Sequence, residues 1–253
     1  VDYAFTVLLR NEMDKLHSQH QLTSVANLKT IPRESHVWDK MRESSLSSII
    51  MHDVCSEFDA RHFSVYVDRR GLGKTNEFRR FRGVWLRDEQ NHYEGFRFLA
   101  SCIFDKSEQA VDVQVRVRES EFSALANYLT DDLSLHVVLC YDEMVTARAY
   151  ARDMKLYDAL NEPILSRWIR EVTRDEFCHF LDLAKMIRKL HSDSFSKIER
   201  SVHELASLEE AGVRYGGTFV LDRNATNHEP AFFRYSAQKV LRYLRPRLVM
   251  REA

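Results

Sequence analysis

The sequence predicts an all-α protein, a bundle of four long helices with shorter helices at its periphery. Three observations predict it. Only 7 Gly and 4 Pro occur in 253 residues, where average usage gives about 18 and 13. That is too few for the frequent turns of a β-sandwich or barrel. Apolar residues make up 44% and charged residues 30%, which suits amphipathic helices around a core and argues against disorder. Several long stretches also space their apolar residues as one face of a helix does.

The elements follow in order. The first 20 residues read as a short helix, and a looser Pro-containing stretch follows around Ile31-Pro32. A long helix is predicted from about Trp38 to Val67, with Leu46, Ile49, Ile50, Val54, Phe58 and Val65 apolar, and Arg70-Gly71-Leu72-Gly73 stops it. A second runs from about Asn76 to Phe104. Val111, Val113, Val115 and Val117 alternate with polar residues, a strand signal. With no partner strand in sight, this segment reads as an irregular connector leading to a short helix near Phe122–Leu129. A third long helix spans roughly Leu133 to Met154. A fourth starts at Pro163, a residue favoured at the first helical position, and reaches about Leu190. Ser194–Ala211 is a further helix closed by Gly212, Tyr215–Glu229 is a loop, and a last helix begins at Pro230. No linker divides the chain, so residues 1–253 read as one domain with its core at about 46–190.

Net charge is −1, so no global field recruits nucleic acid or acidic lipid. The longest apolar run is far short of a membrane span. No signal peptide is read before the first helix, and a start at Val1 rather than Met fits trimming. Cys55, Cys102, Cys140 and Cys178 lie far apart with no C-x-x-C spacing, as expected of reduced thiols in a cytoplasmic protein.

Two segments repeat one pattern. Arg87-Asp88-Glu89-Gln90-Asn91-His92-Tyr93 and Arg174-Asp175-Glu176-Phe177-Cys178-His179-Phe180 both read R-D-E-x-x-H-aromatic. Glu and His three apart lie on one helix face, so each pair can offer a carboxylate and an imidazole to one metal. That donor set suits iron or manganese, and in bundles the pair recurs with one Glu from each of two other helices. Glu143 is that Glu in the third long helix. In the first, Glu57 is chosen over Asp53 for its longer reach. The set is Glu57, Glu89, His92, Glu143, Glu176 and His179, enough for two metal ions. Asp88 and Asp175 are placed to accept the second N–H of the opposite helix's histidine; Arg87 and Arg174 either balance those charges or form surface ion pairs.

With these residues the chain resembles the soluble ferritin-like diiron proteins, and most closely the acyl-carrier-protein desaturases. In those enzymes two D/E-E-x-x-H segments and two single glutamates hold a diiron centre. The separations from Glu89 to Glu143 and from Glu143 to Glu176 are similar to theirs. Thr146 stands three residues after the third-helix Glu, where the desaturases carry a Thr beside the oxygen-binding face. The resemblance covers about Leu46 to Leu190. The Glu57-to-Glu89 spacing is shorter than in plant-type desaturases, which keeps Asp53 an alternative. Val172 stands where related amine N-oxygenases carry a third histidine.

The resemblance implies two Fe ions, O2 as co-substrate, a ferredoxin-like electron donor, and attack on an unactivated C–H bond of an acyl or similar apolar substrate. Desaturation is preferred and hydroxylation is the other outcome. Phe96, Leu99, Met144, Phe177 and Phe180 line a channel or simply pack the core; His136, His52 and His62 read as core histidines or channel neighbours. Cys178 turns away from the ligands on its helix and is not a nucleophile. The last helix, about 230–250, carries Arg234, Lys239, Arg242, Arg245, Arg247 and Arg251 against Glu252. It is either a docking face for an acidic acyl carrier protein or ferredoxin, or a solvated basic tail. No aromatic platform for nucleic acid is interleaved there. A homodimer is in keeping with the family, although no dimer face is legible. Two other functions share the fold: ferritin-like iron storage or oxygen scavenging, and a radical-generating subunit like that of ribonucleotide reductase. The last needs a Tyr beside the metals, and neither Tyr93 nor Tyr141 has the spacing for it.

Overall fold

A computed structural model of the chain describes residues 25–118, 122–211 and 228–245. These form nine α-helices and two short 3₁₀ turns, with no strand among the described residues. In chain order the helices are α1 (Val25–Leu28), α2 (Val37–Glu43), α3 (Leu46–Arg69), α4 (Asn76–Ile103), α5 (Glu108–Arg116), α6 (Asp132–Asp158), α7 (Pro163–Leu190), α8 (Phe195–Glu210) and α9 (Pro230–Leu244). The expected first helix, Gly212 and nearly all of the Tyr215–Glu229 loop fall outside the described residues.

The four long helices α3, α4, α6 and α7 form the expected bundle. Local chemistry starts and stops them. Thr75 caps α4 by accepting from the Phe78 N–H. Asp131 and Ser134 form a reciprocal capping box on α6. Pro163 opens α7. Gly71 and Gly73, both at positive φ, turn the chain between α3 and α4, where a side chain would be strained. The Gly73 N–H also donates to Asp132 at 2.7 Å, tying that turn to the start of α6.

Two expectations are corrected. The helix expected from Trp38 to Val67 is broken into α2 and α3 at Ser44-Ser45. The Ser44 hydroxyl donates to the Met41 carbonyl and accepts from the Leu46 N–H, a local alternative to the helical ladder. The valine-rich connector is largely helix, since Glu108–Arg116 is α5. Val111 and Val115 are one turn apart and buried, whereas Val113 and Val117 are 62% and 76% exposed. The alternation came from valines that face solvent, not from a pleat.

Helix α3 packs chiefly on α4 and α6 on α7, and α4 against α7 joins the pairs; α8 and α9 pack on each other and on α6. The core is divided into two apolar clusters along the bundle axis. One holds Phe63, Trp85, Met144 and Phe180; the other holds Phe58, Phe96, Tyr150 and Trp168. Chain order through these clusters gives helix direction: α3 and α7 run one way, α4 and α6 the other. Passing from α4 to the parallel α6 requires a long crossover, which contains α5 and the 3₁₀ turn Ser123–Tyr128. This is a ferritin-like connectivity. On α3, α4 and α7 the step from one cluster to the other falls at the Glu or E-x-x-H segment, and on α6 it falls between Ala147 and Tyr150, just beyond Glu143. No helix among the described residues is long and apolar enough to cross a membrane.

Candidate metal centre

Between the two clusters the bundle buries a group of polar side chains. Glu89 and His92 come from one turn of α4, Glu176 and His179 from one turn of α7, Glu57 from α3 and Glu143 from α6. They form two overlapping groups, Glu57–Glu89–His92–Glu176 and Glu89–Glu143–Glu176–His179. Within each, one donor atom per residue lies within 4.8 Å of all the others. Glu89 and Glu176 belong to both. Asp53 is buried but belongs to neither; it lines a separate cavity of about 290 Å³ with His52, Arg152 and His228.

The donor atoms are arranged around common points rather than toward one another. Glu57 Oε2, Glu89 Oε1, His92 Nδ1 and Glu176 Oε1 are buried with no hydrogen-bond partner among the described residues. His92 Nδ1 lies 2.9 Å from Glu176 Oε1 and 3.5 Å from Glu57 Oε2, close enough for attraction but without hydrogen-bond alignment. Buried polar atoms are rarely left so. A cation between them would satisfy all four at once.

Electrostatics agree. Burial first, then the neighbouring Glu176, Glu57 and Glu143, pushes Glu89 well above the ordinary carboxylate range. Burial likewise raises Glu143, beyond what His179 offsets. Burial would raise Glu176 too, but the close contacts with His179 and His92 outweigh it and hold Glu176 below that range. Both histidines are raised, because contacts with Asp175, Glu176 and Glu57 for His92, and with Glu143, Asp88 and Glu176 for His179, overcome the cost of burial. Four carboxylates in one buried site repel each other. Two divalent cations would balance them charge for charge.

The groups behind the donors repeat the two-fold pattern. His179 turns Nδ1 toward Glu143 (3.3 Å) and Glu89 (3.5 Å), and Nε2 toward Asp88 (3.3 Å). His92 turns Nδ1 inward and Nε2 toward Asp175 at 3.6 Å. Each Asp therefore faces the histidine of the opposite helix, as the sequence suggested. Arg87 lies 3.5 Å from Asp88 and Arg174 3.3 Å from Asp175. Such carboxylates fix the imidazole tautomer and ring orientation at metal sites.

One residue of the site was missed. The Tyr150 hydroxyl donates to Glu57 Oε1, and both side chains are buried. Tyr150 is two turns beyond Glu143 on the same face of α6, and that spacing could have found it. The tyrosines weighed from the sequence lie elsewhere: Tyr93 donates to Asp112 at 2.5 Å, and Tyr141 sits in the apolar cluster that holds Trp85. Thr146 is half-buried on α6. His136 is buried beside His191 and Phe78, away from the donors. Burial pushes the Cys178 thiol up to about 11, which suits a protonated, unreactive side chain. Met144, Phe177 and Phe180 fall in one apolar cluster, Phe96 and Leu99 in the other.

Fold and site together define a ferritin-like helix bundle with two potential carboxylate–histidine metal positions that share two glutamates. Comparisons with protein families, with curated proteins and with solved structures return no match.

Proposed function

We propose that this chain is a diiron, O2-dependent oxidoreductase acting on an acyl or similar apolar substrate, with desaturation preferred over hydroxylation. The observation that carries the reading is the pair of overlapping donor groups joined by Glu89 and Glu176. In it, Glu57, Glu89, His92 and Glu176 would hold one iron ion and Glu89, Glu143, Glu176 and His179 the other, with Glu89 and Glu176 common to both groups. Bound iron supplies O2 activation and C–H oxidation. The chain supplies the rest. Asp88 and Asp175 hold the imidazoles with Nδ1 inward, the two apolar clusters exclude water, and Thr146 stands three residues after Glu143 on the side assigned to oxygen. Forming one C=C bond removes two hydrogens from the substrate. Reducing O2 to two waters then takes two further electrons and two protons, which a ferredoxin-like donor and solvent provide.

Phe96, Leu99, Met144, Phe177 and Phe180 are assigned to the substrate path between helices. The outer side of α9, with exposed Arg242 and half-buried Lys239, is assigned to docking an acidic acyl carrier protein or the electron donor. Arg234 on that helix is already paired with Glu210 at 3.0 Å; Arg247 and Arg251 fall outside the described residues. A cytoplasmic location and a homodimer belong to the same reading. The test is anaerobic loading with Fe(II), then exposure to O2 with candidate acyl-carrier substrates and mass spectrometry. About two irons per chain are expected, with loss of two hydrogens from a substrate. One iron or none overturns the reading, and gain of one oxygen moves it to hydroxylation.

A second reading, a radical-generating subunit, is favoured by Tyr150 alone. A phenol bonded to Glu57 is placed to pass its proton to that carboxylate as it gives up an electron. A tyrosyl signal in electron paramagnetic resonance after O2 exposure, absent in Tyr150→Phe, would select it.

A further inference from the structure

The two-fold pattern of the site is broken at one place. Glu57 on α3 corresponds to Glu143 on α6, so Tyr150, seven residues after Glu143, corresponds to position 64 on α3. That residue is Ser64, whose side chain is far shorter than a phenol. Among the described residues no side-chain hydroxyl is bonded to Glu143; its Oε2 instead lies 3.3 Å from His179 Nδ1. Glu57 alone has one oxygen engaged by a phenol, on Oε1, while its Oε2 is buried without a hydrogen-bond partner and faces His92.

The phenol is also held still. Its ring lies 5.5 Å from that of Phe96. Phe96 packs edge-to-face on Trp168 at 4.8 Å, and Trp168 is seated against Gly95. All three rings are at most 2% exposed. A hydrogen bond to a carboxylate is among the stronger ones, and here both partners would lose it to an apolar surrounding if Glu57 turned.

We propose that Tyr150 is a positioning residue that holds Glu57 to a single metal-facing oxygen and so makes the two metal positions inequivalent. It rests on the two-metal reading above. Glu143, under no such restraint, is able to offer both oxygens. The position built from Glu57, Glu89, His92 and Glu176 therefore keeps the lower protein coordination and is the one with room for a small exogenous ligand.

Cobalt(II) tests this without turnover, since its visible absorption is stronger at lower coordination number. Anaerobic titration of the wild-type chain is expected to give two cobalt additions with different band intensities. In Tyr150→Phe the stronger band is expected to weaken toward the other, or that cobalt to be lost selectively, with the helical circular dichroism retained. Two cobalt ions bound with spectra unchanged from wild type overturns the inference and leaves the two-metal reading standing. Fewer than two in wild type overturns that reading instead. Should Tyr150→Phe not fold, 3-fluorotyrosine placed at position 150 keeps the shape and makes the phenol more acidic. A shift of the stronger band alone then supports the inference, and no shift overturns it.

Discussion

Asp88 of α4 lies 3.3 Å from Nε2 of His179 on α7, so a carboxylate beside one E-x-x-H segment orients the imidazole of the other. The reciprocal contact, Asp175 to His92 at 3.6 Å, is longer. On the proposed two-metal reading, the two positions can therefore be weakened one at a time. Asp88→Asn is expected to cost about 10–100-fold in metal affinity at the position containing His179 and much less at the other. Asp175→Asn reverses the pattern. Competition with a chromophoric chelator resolves the two steps. Equal weakening of both by either variant would show that these carboxylates do not act through the facing histidine.

Gly95 makes room for the ring stack behind Tyr150. A Cβ built there would lie 2.2 Å from Trp168 Cζ2 and 2.7 Å from Cε2, atoms of a rigid indole that cannot step aside locally. Gly95→Ala is expected to destabilise the fold by about 1–3 kcal/mol through overpacking, more than offsetting alanine's better helix propensity. Urea unfolding should show a lower midpoint with an unchanged slope, together with altered Trp fluorescence. Gly83 on the same helix has nothing within 4 Å of the built Cβ, so Gly83→Ala is the control and should be neutral or mildly stabilising. A midpoint for Gly95→Ala at or above wild type would show that Trp168 has slack.

How far this architecture was legible in the sequence depends on the range of each interaction. The long helices were legible because starts and stops such as Pro163 and Gly71 act within a few residues. The six donors were legible because a three-residue spacing on a helix fixes two side chains on one face. Four such helices leave few ways to bring acidic side chains together. Choosing Glu57 over Asp53 needed only side-chain length. Tyr150 is a different case: its spacing from Glu143 puts it on the same face of α6, but its partner Glu57 sits on another helix 93 positions away, a pairing no local pattern encodes. Ser44 is an opposite failure: the helix break at Ser44-Ser45 is local, but serine is common enough inside helices that its hydroxyl bonds had to be seen.

The misread valines give a direct check on α5. Val115 is 1% exposed and Val113 is 62% exposed, although both occupy the same phase of the alternation. A strand would give them equal weight; the helix does not. Val115→Ala is expected to cost roughly 2 kcal/mol, from lost burial plus a cavity. Val113→Ala should stay within about 0.5 kcal/mol, as exposed substitutions do. Equal costs in chemical denaturation would show that α5 does not set the two valines apart.

His136 and His191 join the start of α6 to the end of α7, with Nδ1 and Nε2 3.3 Å apart. Burial, and then the neighbouring His191, lowers His136 to about 4, although Asp131 and Asp132 act to raise it. Burial lowers His191 as well, with Lys197 in the same direction and the two aspartates opposing. His136 is thus neutral in the folded chain at pH values where the unfolded chain already binds a proton. Because its folded value lies below its unfolded one, its contribution is complete above about pH 6.5 and is lost as pH falls toward 4. The integrated loss is on the order of 3 kcal/mol. His136→Leu removes that term, so wild type should lose this much more stability than the variant between pH 6.5 and 4 in urea titrations at stepped pH. Parallel curves would show that the buried imidazole accepts its proton as readily folded as unfolded.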